Sequence, residues 1–219
     1  LDEADARADD HDLDDPKRAD LTHLETFTID DAETRDRDDA LSLEVIDGGF
    51  RLGIHIADAG TLVPANGPMD TEADRRMATL YLPERQIQML PPQFTYGVGS
   101  LDPDQVRFAI SLLVQIDDLG EVLDYEITPS LIRSRAAISY SEVDAAIADD
   151  SSRWHGTLSR MSTLAEALLA RRERAGAITV NRQELIIKVT SPEEIEVRVV
   201  DRSTPSRDLV TEMMVLCNS

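Results

Sequence analysis

Between Thr28 and Asp39 the chain reads T-I-D-D-A-E-T-R-D-R-D-D, which sets Asp30, Asp36, Asp38 and Asp39 within ten residues. One apolar run, Leu24 to Ile29, leads in, and another, Ala40 to Ile46, leads out. The pattern predicts two buried strands joined by an acidic turn. Burial does not explain such a turn, because ionised carboxylates held together repel and are expensive to desolvate. A hard divalent cation reverses that balance, since Mg²⁺ is held by a few carboxylates together with water and phosphate oxygens. The competing reading is a solvated loop in an Asp-rich chain, and the run by itself favours neither. A helix–loop–helix calcium site is excluded: it needs a central Gly, none lies between Asp30 and Asp39, and the flanks read as strands.

Strand-like and helix-like segments alternate along the rest of the chain. Arg51 to Ala57 alternates as a strand after the turn Asp47-Gly48-Gly49. Asp70 to Leu80 reads as a helix with Asp70 as N-cap, stopped by Tyr81-Leu82-Pro83, with a short apolar run at Ile87 to Leu90. Phe108 to Ile116 and Glu121 to Ile127 read as strands joined through Asp117 to Gly120, and Leu131 to Ser139 as a third. Ser141 to Ala148, capped by Ser141, and Ser159 to Ala175 read as helices. The longer one places Met161, Leu164, Leu168 and Leu169 on one face and Arg171, Arg172 and Arg174 in its last turn. Gln183 to Thr190 and Glu194 to Val200 form a hairpin through Ser191-Pro192, and Pro205 starts a last helix. The expected fold class is α/β (α+β), a mixed, largely antiparallel sheet with packed helices. Residues 1–20 carry nine acids against three basic residues and are expected to be an acidic linker or tail, leaving 21–219 as the globular part. A first residue Leu1 and a last stretch L-C-N-S inside an apolar helical pattern suggest a piece of a longer protein.

Three motifs stand in order. R-x-D-L-T-x-L-x-T-F-T-I-D-x5-D-x-D-D-A-L-S begins at Arg18, H-I-A-D spans His55 to Asp58, and Y-L-P-x5-M-L-P spans Tyr81 to Pro91. On these motifs the chain resembles the catalytic domain of the ribonuclease II/ribonuclease R family, processive hydrolytic 3′→5′ exoribonucleases, from about Arg18 to its last residue. The resemblance implies an RNB-type fold, with 21–219 as the N-terminal portion of that domain, truncated at its C-terminus. It also implies a Mg²⁺-dependent enzyme that takes single-stranded RNA by its 3′ end and releases nucleoside 5′-monophosphates. Asp30, Asp36, Asp38 and Asp39 match the family's catalytic and metal-binding aspartates, around one or two Mg²⁺ ions at the scissile phosphate. Tyr81 matches the tyrosine that holds the 3′-terminal nucleotide. Tyr140, in I-S-Y-S-E-V, and Glu212, in T-E-M-M-V-L-C-N, match positions that contact the sugar and favour RNA.

Asp31 and Glu33 fall outside the matched pattern and are expected to be solvated, while Arg35 and Arg37 are expected to neutralise the acids. The family's domain continues past the position matched by Ser219 and there supplies an arginine and a glutamate, so the resemblance implies that this piece is weak or inactive alone. Arg75, Arg76, Arg85, Arg107, Arg133 and Arg135 are candidates to line a strand-binding channel. Two readings from other classes keep the fold without the chemistry: a non-catalytic RNA-binding relative and an acidic interaction domain. The four intact aspartates weigh against the first of these, the non-catalytic RNA-binding relative. His55 alternates with Ile54 and Ile56 and has no second His or Cys near it, which fits a hydrogen-bonded structural residue better than a metal ligand. Asp58 is expected to fix a turn.

A single cysteine, Cys217, excludes an internal disulfide and fits a reducing cytoplasm. No apolar run reaches membrane-spanning length, so no membrane partner is expected. A net charge of −21 runs against a polyanionic partner. The type of charge qualifies this, since 20 of the 22 basic residues are arginine and only Lys17 and Lys188 are lysine. That balance suits a salt-rich cytoplasm, where the Debye length falls to about 3 Å at 1 M and self-repulsion is screened. A GC-rich coding sequence gives the same arginine bias. The salt-adapted reading predicts a higher melting temperature in molar KCl than in dilute buffer, and equal melting in both contradicts it.

Overall fold

The computed structural model describes residues 13, 15–83, 85–178, 184–191, 194–200 and 203–219. Most of the expected acidic tail, residues 1–12 and 14, lies outside the described residues, as do Gln183 and Pro192 of the expected hairpin.

The strands are β1 (Ala19–Asp20), β2 (Thr26–Asp30), β3 (Asp39–Ile46), β4 (Gly49–Ala57), β5 (Leu80–Tyr81), β6 (Gln86–Ile87), β7 (Val106–Ile116), β8 (Val122–Ser139), β9 (Glu184–Ser191) and β10 (Glu194–Val200). The helices are α1 (Ala59–Leu62), α2 (Pro68–Arg76), α3 (Tyr140–Ala148), α4 (His155–Arg174) and α5 (Pro205–Cys217), with one π-helical turn at Phe94–Val98. Six strands make one sheet in the order β1-β8-β2-β3-β4-β7, and β7 pairs again with β8. Five strands therefore close into a ring. Only β1 and β2 run parallel to their neighbour β8; the other pairs are antiparallel, as a mixed, largely antiparallel sheet requires.

Ring closure rests on the length of β8. Its first part runs beside β7, from Val122 opposite Ile116 to Arg133 opposite Val106, and its last part beside β2, from Ser134 opposite Thr26 to Ser139 opposite Asp30. The two strands expected here, Glu121 to Ile127 and Leu131 to Ser139, are one continuous strand. Pro129 does not interrupt it, because β1 joins only from Ser130, and at Pro129 the ladder to β7 is the only one present. At the β3–β4 turn Gly48 has φ +81°, and a Cβ on Gly49 would lie 2.3 Å from the Ile116 carbonyl oxygen, so both glycines are required.

Helix ends also differ from expectation. α3 is capped by Ser139 rather than Ser141: the Ser139 hydroxyl accepts from Glu142 N–H while the Glu142 carboxylate accepts from Ser139 N–H, a reciprocal capping box. α2 begins with Pro68 and closes at Met77 in the left-handed region (φ 64°). Asp70 lies inside its first turn and accepts from the Asn66 N–H at 2.6 Å. That early stop frees Leu80 and Tyr81 to pair with Ile87 and Gln86.

Helices α3, α4 and α5 cover one face of the sheet, burying Phe27, Leu41 and Ile54 against Leu158, Met161 and Leu209. Leu21, Ala40, Leu113 and Ile132 form a second cluster, and Met69, Phe94 and Phe108 anchor a third. Among the described residues no helix is long and apolar enough to cross a membrane. His55, fully buried, is bonded to Ser42 Oγ at 3.0 Å and Ser111 Oγ at 2.6 Å. Burial pushes its pKa down to about 4, so it is a neutral structural residue. Gly53 makes room for it, since a Cβ there would lie 2.7 Å from its Nε2.

Packed structure begins before Leu21. The Arg18 guanidinium donates to Asp58 Oδ2 and Thr61 Oγ1, each at 2.6 Å, and to the Ala109 and Ser130 carbonyls, each at 3.3 Å. It also lies 4.5 Å over the Phe108 ring. Asp58 accepts in addition from Thr61 N–H, fixing the turn into α1. Because this charge is buried and paired with Asp58, Arg18→Met is predicted to cost about 3 kcal/mol of stability, read as a lower urea midpoint. An unchanged midpoint contradicts that role.

Candidate functional site: an acidic loop against an aromatic wall

Asp30 is the last residue of β2 and Asp39 the first of β3, and the Phe27–Leu41 pairing of these strands brings the two carboxylates to one end of the sheet. The loop between them is tied down by its backbone. Arg37 N–H donates to Ser100 Oγ (3.1 Å), Leu101 N–H to the Arg37 carbonyl (2.9 Å), and Ala57 N–H to the Asp38 carbonyl (2.8 Å). Arg37 pairs with Asp102 at 2.8 Å, and the Arg35 guanidinium lies 4.5 Å over the Tyr96 ring. Both arginines expected only to neutralise the aspartates thus hold other partners, although the Arg37 charge still favours ionised Asp30.

The electrostatics of the loop are unfavourable for an unliganded protein. Burial, and then the neighbouring Asp39 charge, push Asp30 up to about 6. Burial and Asp38 do the same to Asp39, also to about 6, and burial and Asp36 raise Asp38. Asp30 Oδ2 is buried and, among the described residues, accepts no hydrogen bond. A buried carboxylate oxygen with no donor, next to a second, half-buried carboxylate, fits a bound cation chemically. Among the described residues, however, no three acidic, His or Cys side chains are gathered into a ready-made metal cage.

Two tyrosines join the aspartates. Tyr81, exposed on β5, donates from its hydroxyl to Asp36 Oδ2 at 3.3 Å and lines a cavity of about 330 Å³ with Arg35, Asp36, Asp38 and Gln86. Tyr140 opens α3; burial raises its pKa, as do the charges of Asp30, Asp31 and Asp39, against the opposing pull of Arg207. The Arg207 guanidinium lies 4.1 Å over the Tyr140 ring and pairs with Asp31 at 2.7 Å. Asp31, expected to be merely solvated, therefore ties the loop to α5. Sequence offered no signal for that pair, which lies 176 residues apart.

Glu212 lies on α5, and its buried carboxylate accepts twice from Arg172, at 2.9 Å and 2.5 Å, clasping α5 to α4. Contact of this carboxylate with an RNA sugar, expected from the resemblance, is a proposal. Several arginines proposed for a channel also have local tasks: Arg75 and Arg76 grip Glu72, Arg107 donates to the Ser100 carbonyl, and Arg135 to the Thr22 carbonyl.

The raised carboxylates fix the sign of a pH effect. A carboxylate whose folded pKa is about 6 destabilises the fold above pH 6, and the cost fades as pH falls toward the ordinary value near 4. In metal-free buffer at pH 7.5, Asp39→Asn is predicted to raise stability by about 1–2 kcal/mol, allowing for solvent screening. At pH 4 the gain should vanish. A destabilised variant at pH 7.5 contradicts the crowding.

Comparison with known proteins agrees with this geometry. The RNB domain family model matches residues 18–219. A Synechocystis ribonuclease is 41% identical over 206 residues, covering 92% of this chain and 30% of that protein. An inactive exonuclease of Arabidopsis thaliana is 33% identical over 219 residues, covering 92% of this chain and 21% of its own length. The structure of Mycoplasma genitalium RNase R in complex with ribose-methylated single-stranded RNA superposes with a TM-score of 0.87 at 27% identity, over 100% of this chain and 36% of that one. The chain thus spans about a fifth to a third of the length of these relatives. A family match over nearly every described residue, on the same fold and beginning at the buried Arg18, shows that the chain belongs to the RNB-domain family of ribonucleases.

Proposed function

We propose that this chain carries the acidic part of the active site of a Mg²⁺-dependent 3′→5′ exoribonuclease that releases nucleoside 5′-monophosphates from single-stranded RNA. One observation carries the reading: half-buried Asp30 and Asp39 lie close enough for the Asp39 charge to raise Asp30, and Asp30 Oδ2 is shielded from solvent with no hydrogen-bond donor among the described residues. Asp30, Asp36, Asp38 and Asp39 are the residues that would hold the metal. When bound, Mg²⁺ supplies Lewis-acid stabilisation of charge at the scissile phosphate. The protein's own side chains do the positioning. Tyr81 offers a ring on which the 3′-terminal base stacks without regard to its identity. Tyr140, held by Arg207, borders the same acidic loop, which supports a role for it in meeting the sugar. Hydrolysis adds water across the last phosphodiester bond: the P–O3′ bond breaks, and the terminal nucleotide departs with its 5′-phosphate.

Family membership alone does not decide activity, as the inactive Arabidopsis relative illustrates. The four intact aspartates favour an active enzyme. Because the chain spans 30% of its Synechocystis relative, the complete active site is taken to need further chain, and the 219-residue piece alone should degrade RNA weakly. The deciding variant is Asp38→Asn in the intact protein, with labelled single-stranded RNA and Mg²⁺. Turnover is expected to fall by about 10²-fold or more while RNA binding is largely kept. Unchanged degradation by the variant, or none by the unaltered intact protein, overturns the reading.

A further inference from the structure

The cavity beside Asp36 and Asp38 has a wall that the catalytic reading leaves unused. Arg35 lines it, and one face of its guanidinium rests on Tyr96 at 4.5 Å. Tyr96 is set in the Phe94–Val98 turn, whose helical backbone is broken at Gly97 (φ −118°, ψ −108°). Its hydroxyl is fixed in both directions, donating to Gln86 Oε1 at 2.9 Å and accepting from the Gln88 amide at 2.5 Å. Gln88 is itself buried, and its Oε1 accepts from the Thr79 hydroxyl at 3.2 Å. Gln86 pairs with Tyr81 across the β5–β6 ladder. The support behind Arg35 and the ring of Tyr81 therefore belong to one braced hairpin, and the cavity lies beside both.

A volume of about 330 Å³ falls within the range of small-molecule sites. Its lining includes Asp31, Glu33, Asp36 and Asp38, against Arg35 as a cation. A phosphate entering that field without a metal is repelled, whereas a neutral nucleobase is not. Guanidinium planes stack on bases as aromatic rings do. Resting on the exoribonuclease reading above, we infer that Arg35 is a base-stacking platform for the 3′-terminal nucleobase, facing the cavity beside Tyr81. Tyr96 is a positioning residue that holds the guanidinium flat. Stacking of this type tolerates all four bases, which suits an enzyme that must accept each new end.

The test measures affinity in the intact protein carrying Asp38→Asn, so that RNA is bound without turnover. Two fluorescent oligoribonucleotides are compared, one with a normal 3′-terminal base and one with an abasic 3′-terminal residue. Arg35→Gln is expected to weaken the first by about tenfold and the second by less than about twofold. Tyr96→Leu should reproduce part of the loss, and Tyr96→Phe, which keeps the ring, should restore binding. An equal loss on both RNAs overturns the platform by making Arg35 a phosphate contact. So does an unchanged affinity for the base-bearing RNA. Failure of the parent protein to bind either RNA overturns the exoribonuclease reading as well, and so is distinct from failure of the platform alone.

Discussion

Two half-buried carboxylates, Asp30 and Asp39, are brought together by strand pairing, and much of the surrounding architecture holds them so. Each is pushed up to about 6 by burial and by an adjacent aspartate, a cost the fold bears whenever no counter-charge is present. Nothing in the packing of β2 against β3 demands acids at those positions, since Phe27, Ile29 and Leu41 supply the buried apolar contacts. A bound cation, as proposed above, would offset that cost.

Rigid support for that arrangement comes from the closed ring of strands. The length of β8 lets one strand pair with both β7 and β2, so the end of β2 that carries Asp30 is anchored through Ser139 to the cap of α3. Inside the ring, neutral His55 links Ser42 on β3 to Ser111 on β7, and Arg18 fastens the start of the chain to the turn at Asp58. The loop is held from two further sides, by Arg37 on Asp102 and by Arg207 on Asp31. Arg207 also stacks on Tyr140, so loop position and the tyrosine are mechanically joined.

Sequence carried the parts of this account that depend on local pattern. Apolar runs on both sides of the acidic turn marked β2 and β3, and alternation marked β4 and β7. Local pattern failed where tertiary context decides. Pro129 reads as a break, yet it sits where β8 has only one partner. Met77 gives no hint of a left-handed helix end, so α2 stops earlier than its composition suggests. Of the residues expected at the site, Asp30, Asp36, Asp38, Asp39, Tyr81 and Tyr140 do gather around the acidic loop. Glu212 also holds Arg172, 40 residues away in sequence, a pair that no local pattern shows. Pairs such as Arg35 with Tyr96 and Arg207 with Asp31 are made by the fold, and no spacing rule reveals them.

The central claim is that the half-buried pair Asp30 and Asp39 is a cation site. Calorimetric titration of Mg²⁺ into the intact protein at pH 7.5, beside its Asp30→Asn variant, tests it most directly. The account predicts saturable uptake by the unaltered protein and loss of that uptake in the variant. Equal uptake by both proteins, or none by either, contradicts it.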